Sequence, residues 1–256
     1  MGKGRDARDL PQALTPQYTV HMLARDWPNR PRVRPTGRAM PEDRRNGQMR
    51  GGVSDRVAGL ILAGGKNRRM GGTDKAFLEI DGQSVFQRTL TLLRACFPQV
   101  IVVSNCPQRY RHFEVQVTQD EFPHRGPLAG IHAGLKLVEL PYAFVVACDM
   151  PFLRTEPIAY LVRRVARQDA IVPWWDGDIE PLHAVYASRL RPRMGEALSR
   201  GVGAIRDFLP SLDVEYVPES LMRKVVGADE SFRNVNTPED AARFSIQVRI
   251  TLPTTL

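Results

Sequence analysis

The residues most able to do chemistry lie between Leu62 and Lys75: Leu62-Ala63-Gly64-Gly65-Lys66-Asn67-Arg68-Arg69-Met70-Gly71-Gly72-Thr73-Asp74-Lys75. Glycines at 64, 65, 71 and 72 let the backbone approach a ligand and turn its N–H groups inward. Lys66, Arg68, Arg69 and Lys75 add concentrated positive charge. Backbone donors combined with clustered cations are what a polyphosphate requires. The segment is not a Walker A loop, because Lys75 has no glycine before it and no Ser or Thr after it, and it does not read G-x-G-x-x-G. Taken by composition alone, it also fits a solvated basic turn.

Two carboxylates follow apolar runs. Asp149 leaves Tyr142–Cys148 and precedes Met150-Pro151; a carboxylate at such a strand end suits Mg²⁺, which often takes one or two carboxylates plus substrate phosphates and water. An ordinary turn aspartate reads the same way, and Asp120 carries the same ambiguity. Gly126-Pro127-Leu128-Ala129-Gly130 fits a tight turn into a helix, or a wall that a base or ribose approaches closely. The five histidines (21, 112, 124, 132 and 183) show no metal spacing and read as surface or core residues. Trp174–Trp175 reads as packing more readily than as a stacking platform for a flat ligand.

Elements at regular spacing position these residues. Val57–Leu62 is a short apolar run ended by glycines, as expected of a strand buried on both faces. Ser84-x-x-Gln87 is a capping box, and Phe86, Leu90, Leu93 and Phe97 share one helical face. Val100–Val103, Val115–Val117 and Tyr142–Ala147 are further strands, with an apolar helix near Leu128–Val138. Thr155 is expected to cap the next helix, with Pro157 in its first turn. Ile171–Trp175 and Pro181–Ala187, around Asp176-Gly177, look like two strands joined by a hairpin or short loop. Thr237-Pro238-Glu239-Asp240 opens a last helix. Strands alternating with helices predict one α/β domain whose mostly parallel sheet is covered on both faces. In such sheets ligands bind beyond the carboxyl ends of the strands, where Ala63–Lys75, Asn105, Asp120–Gly130 and Asp149 all fall.

The 256 residues are enough for one generous domain with a real core. No apolar run approaches the length of a membrane span. Three scattered cysteines, Cys96, Cys106 and Cys148, exclude a disulfide framework and fit a reducing compartment, hence a cytoplasmic protein. Residues 1–50 carry 11 Lys/Arg and 5 Asp/Glu, so +6 of the +8 net charge sits there and the remaining body is close to neutral. That balance argues against a nucleic-acid-binding domain. With six prolines and four glycines, this segment is expected to remain disordered. It shows no apolar segment of a secretory leader. Met49 just before the first strand is a candidate translation start. The expected organisation is a basic extension over 1–55, the α/β domain over 56–247 and a tail over 248–256.

Leu62-Ala63-Gly64-Gly65-x-x-x-Arg69-Met70-Gly71-x-x-Asp74-Lys75 resembles the signature of the molybdenum cofactor guanylyltransferases. Gly126–Gly130, Cys148–Pro151, Pro181–Tyr186 and Asn234–Glu239 follow in that family's order. The resemblance spans roughly 57–245. It implies a Rossmann-like nucleotidyltransferase fold and transfer of GMP from GTP to the terminal phosphate of the molybdenum–molybdopterin cofactor, with Mg²⁺ and release of pyrophosphate. Carried over, Leu62, Ala63, Gly64, Gly65, Lys75, Asn105, Asp120 and Asp149 hold GTP, with Asp120 at the nucleoside and Asp149 on Mg²⁺. Arg69, Lys75 and Asp149 are the catalytic set. Asn67 stands where relatives often have serine, and the family's asparagine after the second strand can sit two residues before Asn105. Pro181, Asn234 and Asn236 fall toward the pterin. The resemblance further implies molybdenum insertion proteins and apo-molybdoenzymes as partners. The rival readings are a cytidylyltransferase for the same cofactor, another nucleotidyltransferase, and a non-catalytic cofactor carrier.

Overall fold

A computed structural model describes residues 52–64, 75–235 and 240. Its centre is β1 (Val57–Leu62), buried along its whole length. Two parallel neighbours enclose it, β4 (Val100–Val103) and β6 (Tyr142–Ala147). The main sheet runs β10-β7-β9-β6-β1-β4-β5, where β5 is Gln116–Thr118, β7 Ala170–Trp175, β9 His183–Ala187 and β10 Val214–Val217. Strand β9 is antiparallel to both β6 and β7, so the sheet is mostly but not wholly parallel.

Helices cover both faces of β1, as alternation along a strand requires. Gly59 faces α1 (Val85–Cys96), where an added Cβ would lie 3.1 Å from Phe97 and 3.2 Å from Leu93. Leu60 points the other way, into α2 (Pro127–Leu135), and an added Cβ on Gly134 would come within 2.3 Å of its side chain. Ser84 caps α1 by accepting the Gln87 N–H at 3.1 Å, as the capping box predicts. Phe86, Leu90 and Leu93 form the buried stripe. The hairpin of β2 (Glu79–Ile80) and β3 (Gln83–Ser84) turns on Asp81 and Gly82, both at positive φ, the geometry of a type I′ turn.

Several boundaries differ from expectation. Helix α2 stops at Leu135, three residues short of Val138. Strand β5 starts at Gln116. Helix α3 (Thr155–Val162) takes Arg154 at its cap position with no side-chain cap bond, so Thr155 is its first helical residue. The Asp176–Gly177 turn, again with both φ positive, joins β7 to a two-residue strand β8 (Asp178–Ile179), not to β9. Strand β9 pairs instead with the first half of β7 and with β6. The remaining α-helices among the described residues are α4 (Arg191–Ser199) and three single turns, α5 (Ile205–Phe208), α6 (Glu219–Met222) and α7 (Ala228–Ser231). Among the described residues no helix is long and apolar enough to cross a membrane. Residues 1–51 of the extension expected over 1–55, and the helix expected from Thr237, lie outside the described residues, apart from Asp240.

Candidate active site

The topology collects one edge. Strands β1, β4, β5 and β6 deliver Ala63–Gly64, Ser104–Asn105, Gln119–Asp120 and Cys148–Asp149 from their carboxyl ends. Antiparallel β9 brings Glu180–Leu182 to the same edge from its amino end. Chain order reverses at β1, with β4 and β5 built out on one side and β6 on the other, so the crevice beyond β1 and β6 is a topological switch point.

Backbone bonds fix the floor of this crevice. The Ala63 N–H donates to Val103 O at 2.9 Å, and the Cys148 N–H to Leu62 O at 3.2 Å. The fully buried Tyr110 donates its hydroxyl to Ala63 O at 3.3 Å, while its ring meets Phe77, two residues beyond Lys75, at 5.6 Å. Gly64 is exposed and not in a left-handed conformation. An added Cβ would lie 3.9 Å from Val103 O and 4.0 Å from the Ser104 Cα, which is ordinary contact. Nothing in the described fold therefore demands glycine at 64.

Lys75 begins a short 3₁₀ turn leading to β2. Its ammonium stands 3.8 Å from Asp149 Oδ2, with the side chains 19% and 30% exposed. The two ends of the expected phosphate site therefore meet. Desolvation pushes the Asp149 carboxyl above the usual carboxylate range, opposed by the Lys75 charge and by the residue's own N–H. Beside it lies a residue that motif reading passed over. Glu180 is mostly buried and titrates at about 7, raised first by desolvation and then by the Asp149 charge, with the Leu182 N–H and the Asn234 side chain as hydrogen-bond partners. The chain after α7 docks here too, since the Val235 N–H donates to Asp149 O at 2.8 Å. Val235 also packs with Leu78, Ile80 and Val85 in a small cluster just past Lys75. Lys75, Asp149, Glu180 and Asn234 are thus held by a common framework.

Asp120 and Asn105 form a second group. Asn105 Oδ1 accepts the Asp120 N–H at 3.2 Å, and Asp120 Oδ1 accepts the Phe122 N–H at 2.8 Å. Asn105 thus shapes the loop carrying Asp120, and burial raises the Asp120 carboxyl against that N–H bond. The glycines of Gly126–Gly130 meet protein atoms. A Cβ on Gly126 would lie 3.0 Å from Gly203 O, and one on Gly130 3.4 Å from Leu62. The tight-turn and packing reading of that segment is the one supported. Pro181 O accepts the Tyr186 hydroxyl at 2.8 Å, so its carbonyl serves the framework.

Asn234 lines an open cavity of about 560 Å³ together with Trp175, Asp176, Arg223, Phe232 and others. Trp175 stacks on Phe232 at 4.6 Å, and the Arg223 guanidinium sits 4.4 Å over its ring. The tryptophan is therefore engaged within the protein, as the packing reading expected. His183 is fully buried against Phe144 and Phe232. Gly65, Arg69 and Asn236 lie outside the described residues. Glu180 was overlooked because it belongs to no catalytic spacing. Its one signal was an acidic residue at the mouth of an apolar strand. Tyr110 gave no signal at all.

The Asp149 carboxylate at the rim of the crevice is an oxygen donor suited to a hard divalent cation that completes its shell with substrate phosphates and water. Among the described residues no group of three His, Cys, Asp or Glu side chains gathers as a closed metal cage.

The family model for the MobA-like NTP transferase domain matches residues 59–215. A molybdenum cofactor guanylyltransferase from Desulfosudis oleivorans is 34% identical over 196 residues, covering 76% of this chain and 97% of that protein. A probable molybdenum cofactor guanylyltransferase from Natronomonas pharaonis is 38% identical over 192 residues, covering 72% and 95%. The crystal structure of molybdopterin-guanine dinucleotide biosynthesis protein A from Archaeoglobus fulgidus superposes with a TM-score of 0.63 at 30% identity, covering 73% of this chain and 95% of that one. With that fold, that edge and these relatives, the chain belongs to the MobA-like NTP transferase family.

Proposed function

We propose that this protein transfers GMP from GTP to the terminal phosphate of the molybdenum–molybdopterin cofactor, yielding the guanine dinucleotide cofactor and pyrophosphate. The observation that carries this reading is the Lys75–Asp149 pair, 3.8 Å apart at the switch-point edge where β1 also ends. The acceptor phosphate is already an anion and needs no general base to attack the α-phosphorus. Catalysis then reduces to positioning and to neutralising charge on the departing pyrophosphate.

Leu62, Ala63, Gly64 and Gly65 are the residues whose backbone would cradle GTP. Lys75 meets the phosphates, Arg69 supports it, and Asp120 faces the nucleoside from a loop that Asn105 braces. Asp149 would hold Mg²⁺ together with the substrate's phosphates. When bound, that ion supplies Lewis-acid charge neutralisation at the phosphates. Lys75, whose ammonium stands 3.8 Å from Asp149 Oδ2, orients the triphosphate across the crevice. The resemblance assigns Pro181, Asn234 and Asn236 to the acceptor.

Guanine rather than cytosine is favoured by Gly64, because the fold itself would accept a Cβ there. The absence of a side chain leaves room for the larger base. A pure carrier would not need Lys75 facing Asp149. Equilibrium binding of GTP, CTP and UTP with Mg²⁺ tests the choice of base. GTP is expected to bind tightest, and a preference for CTP would overturn the reading.

A further inference from the structure

Glu180 has a setting that the transfer reaction as described does not use. Its backbone is clamped on both sides: its N–H donates to Pro173 O at 2.9 Å, and its carbonyl accepts the His183 N–H at 3.3 Å. The carboxyl is thus carried by the sheet rather than by a free loop. It takes a hydrogen bond from the Asn234 side chain. The next residue, Val235, is tied to Asp149 O at 2.8 Å. Asn234 is therefore pinned between the carboxylate proposed for the metal and the 560 Å³ cavity that it lines. Its Oδ1 is buried and has no hydrogen-bond donor among the described residues. An amide oxygen left without a donor inside a protein is costly unless a ligand supplies one.

The cavity offers further acceptors in Asp176, Asp229 and Asp240, and two guanidinium groups in Arg223 and Arg233. Arg223 is shared among Asp176, Glu219 and Asp229, which stiffens that wall. Trp175 is already stacked on Phe232 and covered by Arg223, so a ring entering here is read at its edge rather than by stacking on that tryptophan. A flat heterocycle whose edge carries N–H donors beside a carbonyl acceptor, as an aminopyrimidinone does, matches a wall that sets the Asn234 Oδ1 and carboxylate oxygens beside guanidinium groups.

We propose that Glu180 is a positioning residue for the acceptor substrate: by holding the Asn234 amide, it aligns the cavity that takes the acceptor's heterocycle with the reaction centre at Asp149. This inference rests on the guanylyl-transfer reading. The Glu180 carboxyl does not touch the reacting atoms. It acts through Asn234, and its loss should weaken handling of the acceptor while sparing GTP.

The test measures two quantities on the full chain: the Kd for GTP with Mg²⁺, and the KM for molybdopterin in a pyrophosphate-release assay. Glu180→Ala is expected to raise the acceptor KM by about tenfold, as loss of a buried hydrogen-bonding contact would, with the GTP Kd within about twofold of wild type. Glu180→Gln keeps an oxygen that can accept the Asn234 N–H and should recover most of the loss. Asn234→Ala should reproduce the acceptor-selective defect, and the Glu180→Ala/Asn234→Ala double variant should lose little more than either alone. Should Glu180→Ala fail to fold, the Asn234→Ala and Glu180→Gln measurements decide. Equal loss of GTP and acceptor affinity would overturn the proposal, as would an unchanged acceptor KM or additive single defects. A wild-type protein that releases no pyrophosphate would instead overturn the transfer reading, and this inference with it.

Discussion

His183 provides a stringent test of how the strand edge is built. Its imidazole is fully buried between Phe144 and Phe232, with ring centroids at 5.1 and 4.4 Å, and neither nitrogen has a partner among the described residues. Burial lowers its pKa from 6.5 to about 3. The unfolded chain therefore takes up a proton as pH falls through 6.5, and the folded protein does not. Stability from a neutral His183 is present above pH 6.5 and is lost progressively toward pH 3. Between pH 7 and 5 the loss is about 2 kcal/mol. Glu180 works in the opposite sense in metal-free protein. Its folded pKa of about 7 lies above the ordinary 4.5, so its contribution is full below 4.5 and vanishes as pH rises through 7. Over pH 7 to 5 that gain is also about 2 kcal/mol, and in wild type the two contributions offset. Phe is a close shape match for the His183 ring among its aromatic neighbours. Urea unfolding of metal-free wild type and His183→Phe at both pH values isolates the imidazole. The variant should gain about 2 kcal/mol relative to wild type on going from pH 7 to 5. Parallel curves for the two proteins would show that the imidazole is not held neutral, and the burial argument would fail.

Other consequences can be checked with simpler measurements. Lys75→Ala or Asp149→Ala should lower turnover by at least ~100-fold, the usual scale for losing one preorganised charge group, about 3–4 kcal/mol of transition-state stabilisation. Near-normal steady-state turnover in either variant would reject their roles. Gly134→Ala places a Cβ 2.3 Å from the buried Leu60 side chain and should cost about 1–3 kcal/mol in denaturant unfolding; unchanged stability would mean that α2 does not seat on β1 as described. Gly64→Ala, whose Cβ meets only ordinary contacts, should leave the melting temperature unchanged while weakening GTP binding in calorimetry. A lowered melting temperature with normal GTP affinity would assign that glycine to folding instead.

Much of this architecture was legible in local pattern. Val57–Leu62 and Tyr142–Ala147 are continuous apolar runs, and both are strands with all six residues buried. Ser84 caps α1 because a hydroxyl and a free N–H three residues on are a purely local matter. Long-range pairing was less visible. Asp176–Gly177 announces a type I′ turn, yet no local rule says that the returning strand ends after two residues and that β9 pairs with β6 instead. Of the site, Gly64, Lys75 and Asp149 could be picked out because residue type and position at strand ends coincided. Glu180 could not, since its importance arises only when antiparallel β9 delivers its amino end to an edge otherwise built from carboxyl ends. Tyr110 is a similar case: its hydroxyl braces Ala63 from 47 positions away in the chain.

The proposed reaction turns on an acceptor phosphate attacking GTP at the edge where Lys75 faces Asp149. Its most direct test is to incubate the purified protein with GTP, Mg²⁺ and molybdopterin and measure pyrophosphate and dinucleotide product together. Equal amounts of pyrophosphate and guanine dinucleotide cofactor are expected, with none when Mg²⁺ is chelated. GTP bound without pyrophosphate release, or a cytosine dinucleotide formed preferentially when CTP is supplied, would contradict it.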